Sequence, residues 1–117
     1  MNDSFDYEEA KEFLLAKEKK EREQGEDERR RLLQKVISVL EKEFKGSDVE
    51  VYLIGSLIRP FSFSARSDVD VVLKNYKEDR FDFWAQLERK LGRKVEIIPF
   101  ETCRFQEFVL KEGLRVI

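Results

Sequence analysis

A chain of 117 residues suits one compact domain and leaves no room for two. Hydrophobic residues make up 41%, including ten Phe, which excludes disorder throughout; charged residues make up another 41%, but 23 basic against 25 acidic leaves a net charge of −2 and no broad nucleic-acid-binding footprint. There is no His and only one Cys, Cys103, so His-based triads, His-ligated zinc, internal disulfides and CxxC sites are all excluded, and acid–base work falls to carboxylates, Lys, Tyr or a metal-bound water.

Residues 1–46 read as helical. Phe5, Phe13, Leu14 and Leu15 give a first helix a short apolar patch. From Lys17 to Arg31 no residue is apolar, and Glu18/Arg22, Glu26/Arg30 and Asp27/Arg31 stand at i,i+4, the spacing that supports an exposed helix. The ordinary reading of this run is a solvated helix face; the alternative is an arm for a partner. Gly25 is a candidate break. Leu33, Val36, Ile37, Leu40 and Phe44 then recur at helical spacing, with Gly46 as the C-terminal glycine, and predict a helix packed on a sheet.

Three strands follow. Val49–Ser56 is aliphatic and β-branched, Asp68–Leu73 reads Asp-Val-Asp-Val-Val-Leu, and Val95–Phe100 reads Val-Glu-Ile-Ile-Pro-Phe. Between the last two, Asp79 caps a predicted helix bearing Phe83, Trp84, Leu87 and Leu91 on one face and ending at Gly92. A last short helix over about 102–112 stops at Gly113. The expected fold is α/β in the broad sense (α+β), a small mixed sheet of three to four strands with helices packed against it. The whole chain reads as one domain, with 1–29 a charged helical extension and 30–117 the core.

Asp68 and Asp70 flank a valine in an otherwise apolar strand. Side chains alternate, so both carboxylates face one way, about 6.6 Å apart at ~3.3 Å per residue. They repel, and either water at a strand end or a divalent cation must offset this. Gly55-Ser56 ends the preceding strand. It is either an ordinary turn or a close backbone approach whose amides and hydroxyl meet phosphate oxygens. Glu96 is the one charge in its strand, and lies either on a wet face or beside the two aspartates. Three converging carboxylates with a phosphate cradle fit two-metal phosphoryl or nucleotidyl transfer.

These residues resemble a known family. Leu53-Ile54-Gly55-Ser56, eleven residues, then Asp68-Val69-Asp70-Val71 is similar to the signature of polymerase-β-type nucleotidyltransferases, and the small size points to their minimal branch. The likeness extends over about residues 30–117: the helix from Arg31 to Phe44, Arg59 after Gly-Ser, Ser67 before the first Asp, Val95-Glu96-Ile97-Ile98, and the ending Phe108–Ile117. It implies that Asp68, Asp70 and Glu96 are catalytic and hold two Mg2+ ions, and that Gly55, Ser56, Arg59 and Arg66 bind the nucleotide, with ATP the expected substrate. It also implies a protein acceptor, a helical HEPN-type toxin partner or a second copy, with the chain in the antitoxin role. The same fold can instead serve as a non-catalytic antitoxin-like protein that acts by docking.

Departures from the pattern stand out. The third carboxylate is commonly Asp and here is Glu96, with Glu101 a weaker substitute. Pro60 replaces the glycine that commonly follows the Arg. Phe61 and Phe63 in the 57–67 loop either pack down or touch a base or partner. Residues 1–29 have no counterpart. No apolar run approaches the ~20 residues of a membrane span, and the acidic N-terminus lacks an apolar signal core, so the expected location is cytoplasmic. Abundant Glu, Lys and Arg with scarce Asn, Gln, Cys and Met resemble the composition of a thermophile protein.

Overall fold

A computed structural model describes residues 6–117. Its elements are helix α1 (Tyr7–Phe44), strand β1 (Glu50–Ile54), strand β2 (Val69–Lys74), helix α2 (Arg80–Leu91), strand β3 (Val95–Pro99), helix α3 (Gln106–Glu112) and strand β4 (Leu114–Arg115). Two 3-10 turns, Ser56–Ile58 and Phe100–Thr102, follow β1 and β3. The architecture is mixed α+β, as expected. None of the described helices is long and apolar enough to cross a membrane.

Helix α1 starts at Asp6, whose carboxylate accepts from the amides of Glu8 at 3.0 Å and Glu9 at 3.2 Å. It then runs unbroken through Gly25, correcting the candidate break there. A Cβ at that position would lie 3.3 Å from the Phe63 carbonyl oxygen, so the missing side chain lets the 57–67 loop come down onto the helix. Every side chain from Lys11 to Gln24 is exposed. These residues, with Tyr7–Ala10, make an overhang of about 27 Å at 1.5 Å per residue. Phe13, Leu14 and Leu15 are exposed on it, while Phe5 lies outside the described residues.

The C-terminal part of α1 behaves as its spacing predicts. Val36, Leu40 and Phe44 are buried against the sheet, and Leu33 and Ile37 pack beside them. Leu40 is fully buried, so truncation to Ala would cost about 2–5 kcal/mol.

The sheet order is β3-β2-β1-β4. Strands β1 and β2 are antiparallel, β2 and β3 are parallel, and β4 pairs antiparallel with β1. The parallel pair needs a crossover, and α2 supplies it. Asp79 caps α2 by accepting from the Phe81 amide at 2.8 Å, and Gly92 ends it. Alternation then divides the residues between two faces. Val51, Leu53, Val69, Val71, Leu73, Val95 and Ile97 meet α1 and α2, whereas Tyr52, Ile54, Val72 and Ile98 meet Phe100 and Val109 on the other face. Helix α2 also closes part of the β3 edge: the Trp84 indole donates to the Val95 carbonyl at 2.7 Å, and the Val95 amide donates to Glu88 at 2.8 Å.

Most element boundaries move inward from their predicted positions, while β2 extends one residue further, to Lys74. Strand β1 stops before Gly55, β2 begins one residue after Asp68, and α3 begins at Gln106 because residues 100–102 form a 3-10 turn. Strand β4 has two residues, too few for a periodic signal.

A carboxylate cluster at one end of the sheet

The register brings separate parts of the sequence together. Ile54 pairs with Asp70, and Asp70 pairs with Glu96, so one row crosses three strands. Parallel pairing starts β2 and β3 at the same end, where antiparallel β1 finishes. Asp70 and Glu96 share the face of Val72 and Ile98, and alternation puts Asp68 on the same side.

Gly55 follows Ile54 and lies directly against Asp70. Its φ of 85° is in the region that disfavours side chains, and a Cβ there would stand 2.6 Å from Asp70 Oδ2. Ser56 then opens the 3-10 turn, which is closed by Ile58 N to Gly55 O at 3.3 Å and Arg59 N to Ser56 O at 3.2 Å. The glycine therefore does two things: it turns the chain, and it leaves the Asp70 carboxyl its place.

Asp70 is half-buried and lies within hydrogen-bonding reach of Glu96. Burial first, then the negative charges of Glu96 and Asp68, then the hydrogen bond to Glu96 push its pKa up to about 6. Glu96 itself is exposed and Asp68 half-buried. Among the described residues none of the three carboxylates has a salt-bridge partner.

No three acidic, Cys or His side chains among the described residues stand together as a ready-made cation cage. Asp70 and Glu96 do stand in register on neighbouring strands, and a cation between two carboxylates so placed would relieve their repulsion. The donors are all oxygen, which suits a hard cation such as Mg2+ that keeps waters and substrate phosphates in its shell.

Arg59 and Arg66 are exposed on the loop, and their guanidiniums make no ion pair or hydrogen bond among the described residues. Glu101 is taken up elsewhere: it accepts from the Asn75 amide at 2.8 Å, beyond the opposite end of β2. The two loop phenylalanines part company. Phe63 is buried under the Arg93 guanidinium, 4.4 Å from the ring centroid, while Phe61 is 59% exposed with φ of 62°.

Three further residues shape the site without having been expected there. Glu26 and Arg29 are buried, which corrects the solvated reading of the charge run at these two positions. They form a two-bonded ion pair at 2.7 Å and 2.7 Å and reach across to the 57–61 segment. Arg93 Nη2 donates to the carbonyls of Ser64 at 2.9 Å and Ser67 at 3.0 Å, just before Asp68. The i,i+3 spacing of Glu26 and Arg29 was visible in the sequence, but nothing there announced their burial. Arg93 carried no signal.

Family models, characterised proteins and solved structures yield no match to this chain.

Proposed function

We propose that the protein is a magnesium-dependent nucleotidyltransferase that moves a nucleoside monophosphate, AMP from ATP, onto the hydroxyl of a partner protein, the α–β phosphoanhydride bond breaking and pyrophosphate leaving as the new bond forms. The observation that carries this reading is the row Ile54–Asp70–Glu96 with Gly55 against the Asp70 carboxyl. It gathers unpaired acids beside a tight backbone turn at one end of the sheet.

In this reading Asp70 and Glu96, with Asp68 on the same face, would hold Mg2+, which would supply charge neutralisation at the transferring phosphoryl group. Gly55 and Ser56 receive the triphosphate, and Arg59 and Arg66 lie free on the adjoining loop to meet it. Glu96, at the exposed end of the row, accepts the proton of the acceptor hydroxyl. Rate enhancement comes from positioning and from a preset field rather than from a covalent intermediate. In this reading the acceptor is a helical partner of the HEPN type or a second copy.

The test is calorimetric titration of ATP, with and without magnesium, into the wild type and Asp70→Ala, followed by label transfer from ATP to a co-purified partner. Magnesium-dependent binding that disappears in the variant supports the reading. Absence of binding for all four nucleoside triphosphates would sink it.

One observation favours docking without catalysis. The α1 overhang exposes Phe13 and Leu14 far from the carboxylates, as a handle for a partner would. On that reading the double variant Asp68→Ala/Asp70→Ala keeps full activity in the cell.

A further inference from the structure

Two backbone groups in the 57–67 loop find no partner within the loop. The Leu57 carbonyl accepts no backbone hydrogen bond in its 3-10 turn, the residue three ahead being Pro60, and the Phe61 amide belongs to a residue in a backbone region that side chains rarely adopt. Both are satisfied from α1. Arg29 Nη1 donates to the Leu57 carbonyl at 2.8 Å, and the Phe61 amide donates to Glu26 Oε1 at 2.8 Å. The remaining capacity of the pair is internal: Arg29 Nε to Glu26 Oε1 and Arg29 Nη2 to Glu26 Oε2, both at 2.7 Å. Arg30 adds a fourth contact to Glu26, from its Nε to Oε2 at 3.3 Å. Among the described residues no buried side-chain nitrogen or oxygen is left without a partner.

The chemistry of each end matters. The acceptor faces an N–H, and the donor faces a carbonyl. Two apolar side chains would fill the same space and avoid the cost of desolvating two charges, but they would orient neither group. The pair is therefore suited to fixing a path rather than to filling a core. The path it fixes starts one residue after Ser56 and runs beside Arg59. Farther along the loop, Arg93 holds Ser64 and Ser67, and its Nη1 reaches Glu28 on α1 at 3.4 Å.

From this geometry we infer that Glu26 and Arg29 are positioning residues for the proposed nucleotide site, clamping the Leu57–Phe61 segment so that Gly55, Ser56 and Arg59 are held in one arrangement. The inference rests on the proposed function for the identity of the ligand. The clamp itself is a statement about the loop, and its test does not need nucleotide.

The experiment uses the full chain as wild type, Arg29→Met, Arg29→Lys, Glu26→Leu and Glu26→Gln. Amide exchange is read at Phe61 and its neighbours, with the β1 and β2 amides as the control for an intact fold, and Mg-ATP binding is read by calorimetry. Arg29→Met and Glu26→Leu are expected to lose at least about tenfold more protection at the Phe61 amide than at the β1 and β2 amides, whose smaller loss reports the fall in overall stability. They are also expected to weaken Mg-ATP binding by about tenfold. Glu26→Gln keeps an acceptor for Phe61, and Arg29→Lys keeps a donor for Leu57, so each recovers part of both losses. A pair that merely filled space would give the opposite order, with Met and Leu tolerated better than Lys and Gln.

Should Arg29→Met fail to fold, the Lys and Gln variants still decide, because their partial loss is confined to the loop. Unchanged Phe61 protection in folded Arg29→Met overturns the clamp. Wild type that binds no nucleotide, with the exchange pattern as expected, overturns the proposed function and leaves the clamp standing.

Discussion

Glu26 and Asp70 are two carboxylates in one small domain with opposite surroundings. Glu26 lies against the Arg29 guanidinium and the Phe61 amide, and these hold its pKa down at about 2. Asp70 lies among backbone, Glu96 and Asp68, and its pKa rises to about 6. The first carboxylate has its charge fully answered by the protein. The second has its charge left open. The fold places cations at one acid and withholds them from the other, and perturbation of the second kind is common among binding and catalytic groups, which supports the proposed role of Asp70.

Breaking the comparison at Asp70 gives the largest effect. Asp70→Ala removes the central member of the Ile54–Asp70–Glu96 row and, under the proposed function, is expected to reduce nucleotide transfer by at least about 100-fold, measured as label moved from ATP. Circular dichroism should be unchanged, since Asp70 contributes no ion pair to the fold.

Breaking it at the strut gives the largest loss of stability. Arg29→Met leaves Glu26 buried without its main counter-charge, a situation that destabilises strongly. Thermal melting at pH 7 should fall by about 10 °C. The contribution of Glu26 also has a definite pH window. Its folded pKa is lowered from 4.5 to about 2, so its stabilisation is present above the unfolded value and is lost as pH falls through that interval. Wild type should lose melting temperature between about pH 4.5 and pH 2 more steeply than Glu26→Gln.

Asp70 has the reverse sign. Its folded pKa is raised from 3.8 to about 6, so folding favours its protonated form, and that stabilisation is present below the unfolded value and lost as pH rises through about 6. Asp70→Asn, which cannot ionise, is therefore expected to melt higher than wild type at pH 7.5, by about 2–5 °C, with the gap closing below pH 4. Magnesium should raise the wild-type melting temperature at pH 7.5 and leave the variant unmoved. A variant that melts lower at every pH would mean that Asp70 is a structural acid after all.

The sequence carried the fold further than it carried the site. Periodicity located α2 between Asp79 and Gly92 and the packed face of α1 from Leu33 to Phe44, because apolar spacing reports directly which side meets a sheet. It located the strands to within a residue or two. It was silent on β4, where two residues pair only because β1 offers an edge. At the site, Asp68 and Asp70 are neighbours in sequence and alternation alone put them on one face. That Glu96 stands opposite Asp70 depends on a parallel register that no local pattern encodes. The burial of Glu26 and Arg29 was hidden for the same reason. A charge run looks the same whether its neighbour is water or a loop with an unpaired amide, and the difference arises only when Gly25 lets Phe63 approach.

The smallest expected effect lies at the far end of the same β1–β2 ladder, and it sharpens the comparison. Glu50 pairs in register with Lys74, and its carboxylate meets Lys74 at 3.5 Å, Arg115 at 3.1 Å and the Tyr52 hydroxyl at 3.2 Å. It has more cationic partners than Asp70, yet it matters less. Its surroundings are partly wet, and ion pairs of this kind contribute about 0–1 kcal/mol because water and salt screen them. Glu50→Gln should shift melting by no more than about 3 °C and leave nucleotide binding unchanged. A loss of nucleotide binding there, 5 residues from Gly55 along β1, would mean that the two ends of the strand are coupled and that charge balance over the whole sheet, rather than the local row, governs Asp70.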